Sequence, residues 1–307
     1  MKPTLLAECS TATAAAAPGG AVLPPARVTS LAAPKPGPAA AAPRLPLERA
    51  HLIGIGGAGL SGLARLLHAS GVAVSGSDER GSDVTQELQA LGVTVHIGHA
   101  AGNVAGGGGW CVRSAAVTDD NPELRAAARQ GMRCLLYAEA VGVLSAELRT
   151  LAVAGTHGKT TTTAMTVAGL RAASVRPFHL IGGQVPELDG NGCAGDSDVF
   201  VVEACEFNRS FHQLQPVGAA ILNVDPDHFD CYPDLPSLER SFAEFAGRTR
   251  RSGVAVVHES VPERVLDLLP GDVRTLRFGR SPLAQVHAAD VVTLVDGRLR
   301  FVPVVER

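Results

Sequence analysis

The sequence predicts an α/β protein with two parallel-sheet domains in succession. Two glycine-rich turns carry this prediction, GIGGAG at 54–59 and GTHGK at 155–159. Each follows a short apolar run typical of a buried parallel strand and precedes a helical pattern. Strand-like and helical stretches alternate after each turn, which also indicates an α/β fold. We expect a Rossmann-like domain over 49–147 and a phosphate-loop α/β domain over 148–307.

Residues 1–48 differ from the rest because alanine and proline dominate them, with no periodic apolar face. Such a composition cannot bury enough surface to offset ordering, so we expect a disordered tail. The start does not fit a signal peptide, and no run reaches the roughly 18 apolar residues of a membrane span. We therefore expect a cytoplasmic protein with no membrane partner.

Net charge restricts the kind of ligand, and cysteine spacing indicates the state of the thiols. The formal net charge of -3 over 307 residues leaves no basic stripe for nucleic acid, so we expect no nucleic-acid partner and a small ligand. The six cysteines include no Cys-X-X-Cys pair. This spacing favours reduced thiols that pack in the interior over a disulfide framework or a zinc site.

The first glycine turn predicts nucleotide binding. HLIGIG at 51–56 is a strand pattern, and leucines at 60, 63, 66 and 67 form a helical face after the turn. Glycines let the backbone approach a phosphate, and a helix N-terminus offers unpaired N–H donors. The next strand ends at Asp78, 19 residues after Gly59, where a carboxylate can accept hydrogen bonds from a ribose. A tight turn without a ligand is the alternative.

The rest of this domain fits the same class. Strand-like runs follow at 93–98, 110–117 and 133–137, with helical stretches around 82–91 and 122–130. Taken alone, these elements are also compatible with a nicotinamide-dependent oxidoreductase. The second domain argues against that class.

The second glycine turn predicts a phosphate site at the end of the strand LRTLAVAGT, 148–156. Gly155 and Gly158 let successive N–H groups point inward, Lys159 adds a positive charge, and Thr160 supplies a hydroxyl for Mg²⁺. The spacing is unusual, because only Thr156 and His157 separate the glycines, whereas the usual loop has four residues there. The alternative is a solvated lysine at a helix start.

Two further strands end in candidate metal ligands. Glu203 closes the apolar run at 197–203, and Asn223, Asp227 and His228 follow the run that starts at 218. Because parallel strands end at one edge of a sheet, Thr160, Glu203 and His228 could surround one Mg²⁺–ATP site. Taken singly, His228 would more often be a capping or buried histidine, and Glu203 a surface carboxylate.

These motifs together resemble the Mur ligase family, most closely its alanine-adding members. The resemblance runs from about residue 50 to the end and rests on HLIGIGGAGLSGLARLL, SGSD, SAAVTDDNPEL, AVAGTHGKTTTTAM, IGGQVPEL, VVEACEFNRSF and NVDPDHFDCY in this order. It implies ATP-dependent ligation of L-alanine to UDP-N-acetylmuramate through an acyl phosphate. The first domain then holds the uridine diphosphate end of the substrate, and no hydride carrier is used.

The resemblance also assigns roles to residues. It implies that Lys159 contacts the β- and γ-phosphates of ATP, that Thr160 and Glu203 bind Mg²⁺, and that His228 binds a second Mg²⁺. Lys159, Glu203 and His228 are thus the implied catalytic residues. The ATP loop comprises Gly155, Thr156, His157, Gly158, Lys159, Thr160 and Thr161. The implied UDP-sugar residues are Gly54, Gly56, Gly57, Gly59 and Asp78, with Ser114 and Asn191 as further candidates for which a structural role is equally open.

The sequence departs from the family pattern in two places. Where the family has Glu-Ala-Asp-Glu-Ser-Asp, this chain has EACEFN at 203–208, which keeps the leading glutamate. After RTLRFG at 274–279 come two strand-like runs around Asp296-Gly297, and the sequence stops at Arg307 with no counterpart of the family's third domain. We therefore expect an incomplete central domain and impaired ligation unless a separate chain supplies the missing part. A murein tripeptide ligase and a catalytically silent nucleotide-binding protein remain alternatives.

Overall fold

The N-terminal part of the protein is built around a parallel sheet. The computed structural model describes residues 45–227, 231–295 and 299–306. In chain order the elements are β1 (Arg49–Ile53), α1 (Ala58–Ala69), β2 (Ala73–Asp78), α2 (Asp83–Ala90), β3 (Thr94–Ile97), β4 (Trp110–Arg113), α3 (Pro122–Arg129), β5 (Arg133–Leu136) and α4 (Tyr137–Glu147). Within the described residues the strand order is β3-β2-β1-β4-β5, and all four pairings are parallel.

A larger mixed sheet follows. Its elements are β6 (Arg149–Ala154), α5 (Lys159–Ala172), β7 (Phe178–Leu180), β8 (Gly192–Cys193), β9 (Val199–Glu203), β10 (Gly218–Ile221), α6 (Leu235–Gly247), β11 (Val254–His258), α7 (Glu263–Asp267), β12 (Thr275–Gly279), β13 (Val286–Thr293) and β14 (Leu299–Val305). As far as the chain is described, the order is β14-β13-β12-β11-β10-β6-β9-β7-β8. The predicted α/β class is confirmed, but the two edge pairs, β7 with β8 and β13 with β14, are antiparallel.

Both sheets bury their central strands, and most residues of β1, β6 and β10 are apolar or glycine, as is usual for strands covered on both faces. In β1 every residue after Arg49 is buried, and α1 covers the sheet with four buried leucines, at 60, 63, 66 and 67. Full burial of one leucine side chain is worth about 1.5–3 kcal/mol. The same apolar cluster continues into the second sheet through Phe200 and Phe245. The two sheets therefore share one core.

Each sheet has a point at which its strand order changes direction. β1 lies between β2 and β4. The chain continues from β2 to β3 on one side of β1 and from β4 to β5 on the other. β6 lies in the same way between β9 and β10 in the second sheet. Open parallel sheets bind ligands at the carboxyl ends of such strands. The glycine turns that follow β1 and β6 both occupy this position.

Helix α1 touches the edge of the second sheet closely. A Cβ atom at Gly192 in β8 would lie 2.0 Å from the carbonyl oxygen of Gly62, so only a glycine fits there. Beside this contact, the Asn191 side chain donates from Nδ2 to the carbonyl oxygen of Ala58 over 2.8 Å. The contact fixes α1 against β8.

Two predicted segments lie partly or wholly outside the described residues. Of the predicted tail, residues 1–44 lie outside the described residues, and Leu45 is buried in the core. Asp296-Gly297 also falls outside the described residues, although the flanking strands β13 and β14 pair as a hairpin would.

The cysteines only partly match the prediction of interior packing. Cys111 is buried as expected, but Cys134 and Cys205 are exposed. Among the described helices, none has the length and apolar character needed to cross a membrane.

Candidate functional site

The first glycine turn is fixed by the strand beside it. The N–H groups of Gly54 and Ile55 both donate to the carbonyl oxygen of Ser77, over 2.8 and 2.9 Å. Gly54 has φ +85°, a conformation that favours glycine. α1 then begins with Gly57 as its N-cap and no side-chain capping bond. The first N–H groups of α1 are thus left for a ligand.

Asp78 supports this turn directly. Its Oδ2 accepts the N–H of Gly56 over 2.9 Å, and its Oδ1 accepts the N–H of Arg80 over 3.4 Å. A Cβ at Gly56 would lie 2.9 Å from the same Oδ2, which explains the glycine. Asp78 therefore shapes the turn, and its contact with a ribose stays a prediction.

A buried polar network lies beneath the turn. The fully buried Glu123 accepts hydrogen bonds from the Ser77 hydroxyl, from Asn103 Nδ2 at 2.5 Å and from the Ala100 N–H at 3.2 Å. The imidazoles of His51 and His99 approach its Oε2 to 3.5 and 3.4 Å. Burial alone would raise the pKa of Glu123, but these hydrogen bonds outweigh it and lower the pKa to about 2.

This network fixes the orientation of His99 at the carboxyl edge of the first sheet. Because the Ser77 hydroxyl gives its hydrogen to Glu123, its oxygen accepts from His99 Nδ1, 2.9 Å away. This network was not predicted from the sequence, because its members are spread over more than 70 residues, from His51 to Glu123.

The second glycine turn follows β6. Gly155 has φ +150° and Gly158 has φ +80°, and a Cβ at Gly155 would lie 2.9 Å from Cβ of Leu222. Asn223 ties the loop to β10, because its Oδ1 accepts the His157 N–H at 2.8 Å and its Nδ2 donates to the His157 carbonyl at 3.0 Å. The Thr156 hydroxyl donates to the Asp225 carbonyl at 3.1 Å.

α5 begins at Lys159 with Gly158 as N-cap and, like α1, with no side-chain capping bond. In contrast, Ser82, Asn121 and Asp234 cap the starts of α2, α3 and α6. Helices α4 and α7 also begin without a side-chain cap, but neither follows a glycine turn. A helix end left uncapped at a glycine turn is suited to an anion. Both predicted phosphate sites have this feature.

The Lys159 ammonium folds back onto its own loop. Nζ donates to the carbonyls of Gly155 and Thr156, at 2.7 and 3.2 Å, and pairs with Glu206 Oε1 at 2.9 Å. Glu206 is buried, and its carbonyl oxygen accepts the Tyr232 hydroxyl at 2.6 Å. Glu206 was not among the predicted site residues, although it is the second glutamate of EACE at 203–206. To reach a phosphate, the ammonium has to exchange these acceptors.

Thr160 and Glu203 meet as predicted at the edge shared by β6 and β9. The Thr160 hydroxyl donates to Glu203 Oε1 at 3.2 Å, and Oε2 accepts the Gly182 N–H at 2.7 Å. A hydroxyl and a carboxylate so close are hard oxygen ligands suited to Mg²⁺. Among the described residues, no group of three or more His, Cys, Asp or Glu could hold a metal ion. His228 lies outside the described residues.

The remaining sequence candidates are placed as follows. Ser114 lies beside the first turn, since a Cβ at Gly54 would be 3.5 Å from its Oγ. Asn191 is buried against α1, and Thr161 is exposed at the start of α5. Gly59 accommodates the ring of Tyr137, a residue that was not predicted to belong to a site. Substrate contacts by Ser114 and Asn191 stay predictions.

Gly182 gives a direct test of the Glu203 carboxylate. A Cβ there would lie 2.7 Å from Glu203 Oε1, so Gly182→Ala should displace the carboxylate and weaken Mg²⁺-dependent ATP binding about tenfold or more. Gly183→Ala is the matched control, because its Cβ would meet only Thr160 Cγ2 at an ordinary 3.5 Å. Titration calorimetry with and without Mg²⁺ measures both. Equal affinities for the two variants would contradict this role of Glu203.

Comparison with known families agrees with both halves of this description. Residues 49–149 match the Mur ligase family, catalytic domain, and residues 153–303 match the Mur ligase middle domain. The UDP-N-acetylmuramate--L-alanine ligase of Streptomyces coelicolor is 43% identical over 256 residues, which are 82% of this chain and 55% of that protein. The chain therefore spans about half the length of this curated relative.

Solved structures show the same fold. A UDP-N-acetylmuramate:L-alanyl-gamma-D-glutamyl-meso-diaminopimelate ligase from Neisseria meningitides has a TM-score of 0.72 at 24% identity, covering 83% of this chain and 84% of that one. A UDP-N-acetylmuramate-alanine ligase from Thermotoga maritima has a TM-score of 0.64 at 25% identity, covering 80% and 55% of the two chains. The architecture of two sheets is thus shared with solved ligases.

Proposed function

The chain belongs to the Mur ligase family, and from this premise we propose that it serves the ATP-dependent ligation of L-alanine to UDP-N-acetylmuramate. The identity of 43% with a ligase of that name supports alanine as the amino acid. One observation carries the proposal: Lys159 and Thr160 begin the uncapped helix α5, and Thr160 contacts Glu203 at the edge shared by β6 and β9.

We assign the two ligands to different domains. In this proposal the domain of residues 49–147 binds the uridine diphosphate through the turn at 54–59. The domain that starts at residue 148 binds ATP through the loop at 155–161, in the cytoplasm. The starts of α1 and α5 are both uncapped and both follow a glycine turn, which supports two separate phosphate sites.

The chemistry brings two anions together, a carboxylate and a triphosphate. A carboxylate oxygen of the sugar acid attacks the γ-phosphorus, the bond to the β,γ-bridging oxygen breaks, and ADP leaves with that electron pair. The amine of L-alanine then attacks the acyl phosphate carbon, loses a proton, and expels inorganic phosphate from a tetrahedral intermediate. Such a reaction needs concentrated positive charge more than a strong base.

The residues present fit these needs. Lys159 supplies a mobile ammonium 2.9 Å from Glu206, its resting partner. Thr160 and Glu203 would hold Mg²⁺, which when bound neutralises the phosphate oxygens. The N–H groups at the start of α5 would stabilise the charge that develops on the transferred phosphoryl group. Alignment of both reactants supplies much of the remaining rate enhancement.

The proposal is tested by binding and by phosphate release. We expect the 307-residue chain to bind UDP-N-acetylmuramate and little NADH in calorimetry. We also expect slow, Mg²⁺-dependent release of phosphate from ATP, stimulated by UDP-N-acetylmuramate. A preference for NADH would instead favour an oxidoreductase, and stimulation only in the presence of murein tripeptide would favour the tripeptide ligase. Binding without any phosphate release would indicate a catalytically silent protein.

A further inference from the structure

Tyr137 touches the start of α1 and shares a small cavity with Glu203. It is the first residue of α4, and its ring lies against the first turn of α1. A Cβ at Gly59 would lie 2.9 Å from Cζ of Tyr137 and 3.1 and 3.2 Å from its two Cε atoms. The hydroxyl end of the ring is therefore the part that meets α1. Gly59 is a glycine because this ring needs the room.

The same side chain reaches the second site. Tyr137 and Glu203 line one small cavity of about 30 Å³, together with Cys205. The Tyr137 phenol carries an O–H that can donate a hydrogen bond. A single side chain therefore lies between the start of α1 and a proposed metal ligand.

The hydroxyl of Tyr137 is available for a ligand. Within the described part of the chain it makes no hydrogen bond, and it is not among the polar atoms closed off from solvent. The other tyrosine, Tyr232, differs because its hydroxyl is bonded to the Glu206 carbonyl and to Ser241 Oγ. A partly buried hydroxyl usually finds a partner.

We propose that Tyr137 is a positioning residue for the sugar-acid part of the UDP-sugar, donating a hydrogen bond to one of its oxygens. This inference rests on the proposed function, in which the diphosphate lies at the turn before α1 and Glu203 helps to hold the Mg²⁺ of MgATP. The sugar acid, which reacts with the γ-phosphate, then has to extend from α1 toward Glu203, past Tyr137.

A phenol suits this position better than a charged side chain. A carboxylate would repel the substrate carboxylate, and an ammonium would pair with Glu203 and compete with the metal. A neutral donor orients the substrate oxygen without changing the charge around Glu203. Its rigid ring, supported by Gly59, also loses little conformational freedom when the substrate binds.

The test compares Tyr137→Phe with the unchanged 307-residue chain. The phenylalanine ring keeps the packing against Gly59, so thermal unfolding should not change. We expect affinity for UDP-N-acetylmuramate to fall about five- to tenfold, the effect of one lost hydrogen bond. Free UDP lacks the sugar acid and is the matched ligand, and its affinity should stay within about twofold.

The outcomes separate the two proposals. A selective loss for UDP-N-acetylmuramate supports the role of Tyr137. An equal loss for both ligands, or no loss for either, overturns it while leaving the proposed function intact. If the unchanged chain binds neither ligand, the proposed function and this inference both fall.

Discussion

Replacing Lys159 with alanine is expected to weaken MgATP binding by about 30- to 140-fold while leaving the affinity for UDP-N-acetylmuramate unchanged. A charge-assisted hydrogen bond to phosphate is worth about 2–3 kcal/mol, and each 1.4 kcal/mol corresponds to a factor of about ten. The selectivity follows because the proposal assigns the two ligands to different sheets. Calorimetry with each ligand measures both affinities. A variant that stays folded and loses both ligands equally would contradict the assignment of two sites.

Because Lys159 is paired with Glu206, Lys159→Ala should lower stability as well as ATP affinity, and a second substitution can separate the two effects. Glu206 is buried, so Lys159→Ala removes the ammonium next to a carboxylate that is shielded from water. Breaking such a pair costs about 3–5 kcal/mol of stability. We therefore expect the double variant Lys159→Ala, Glu206→Gln to regain stability in urea unfolding without regaining ATP affinity. If ATP affinity returned as well, the loss in the single variant would have come from unfolding.

Replacing Glu123 with glutamine is expected to lower the free energy of unfolding by about 3 kcal/mol at pH 7. The pKa of Glu123 falls from 4.5 to about 2 in the folded protein. A shift of that size corresponds to about 3 kcal/mol at about 1.36 kcal/mol per unit. Because the folded pKa is the lower one, the stabilisation is fully present above pH 4.5 and is lost as the pH falls toward 2. Urea unfolding at pH 7 measures the difference.

The control for this variant is Glu147→Gln, at the exposed end of α4. Its free energy of unfolding should stay within about 0.5 kcal/mol of the unchanged chain. The gap between the Glu123 variant and the unchanged chain should also narrow in measurements below pH 4.5. A gap that is constant down to pH 3 would mean that lost packing, not lost charge, destabilises the variant.

The local parts of both sites could be predicted from the sequence. Each glycine turn follows an apolar strand directly, so its position in the fold depends on neighbouring residues alone. The meeting of Thr160 and Glu203, separated by 43 residues, could also be predicted, because carboxyl ends of parallel strands share an edge. In these cases one general rule of sheet topology replaces detailed knowledge of packing.

The long-range polar contacts could not be predicted. Glu123 follows Asn121 and Pro122 and has the pattern of an acidic residue in the first turn of a helix. Nothing in that pattern indicates the Ser77 hydroxyl, 46 residues away. The contact of Tyr137 with Gly59 likewise depends on how β5 and α4 pack beside α1. The antiparallel edges of the second sheet depend on pairings that periodicity does not specify.

The contact between Gly62 and Gly192 has a mechanical consequence. Helix α1 carries the first glycine turn at its start, and its side rests on β8, where a Cβ on Gly192 would lie only 2.0 Å from the Gly62 carbonyl. A hinge motion between the two sheets would have to separate these backbones and expose the buried amide of Asn191. The two proposed binding regions should therefore move together as one rigid body, so that the scaffold would preset the distance between the proposed sugar and nucleotide ligands.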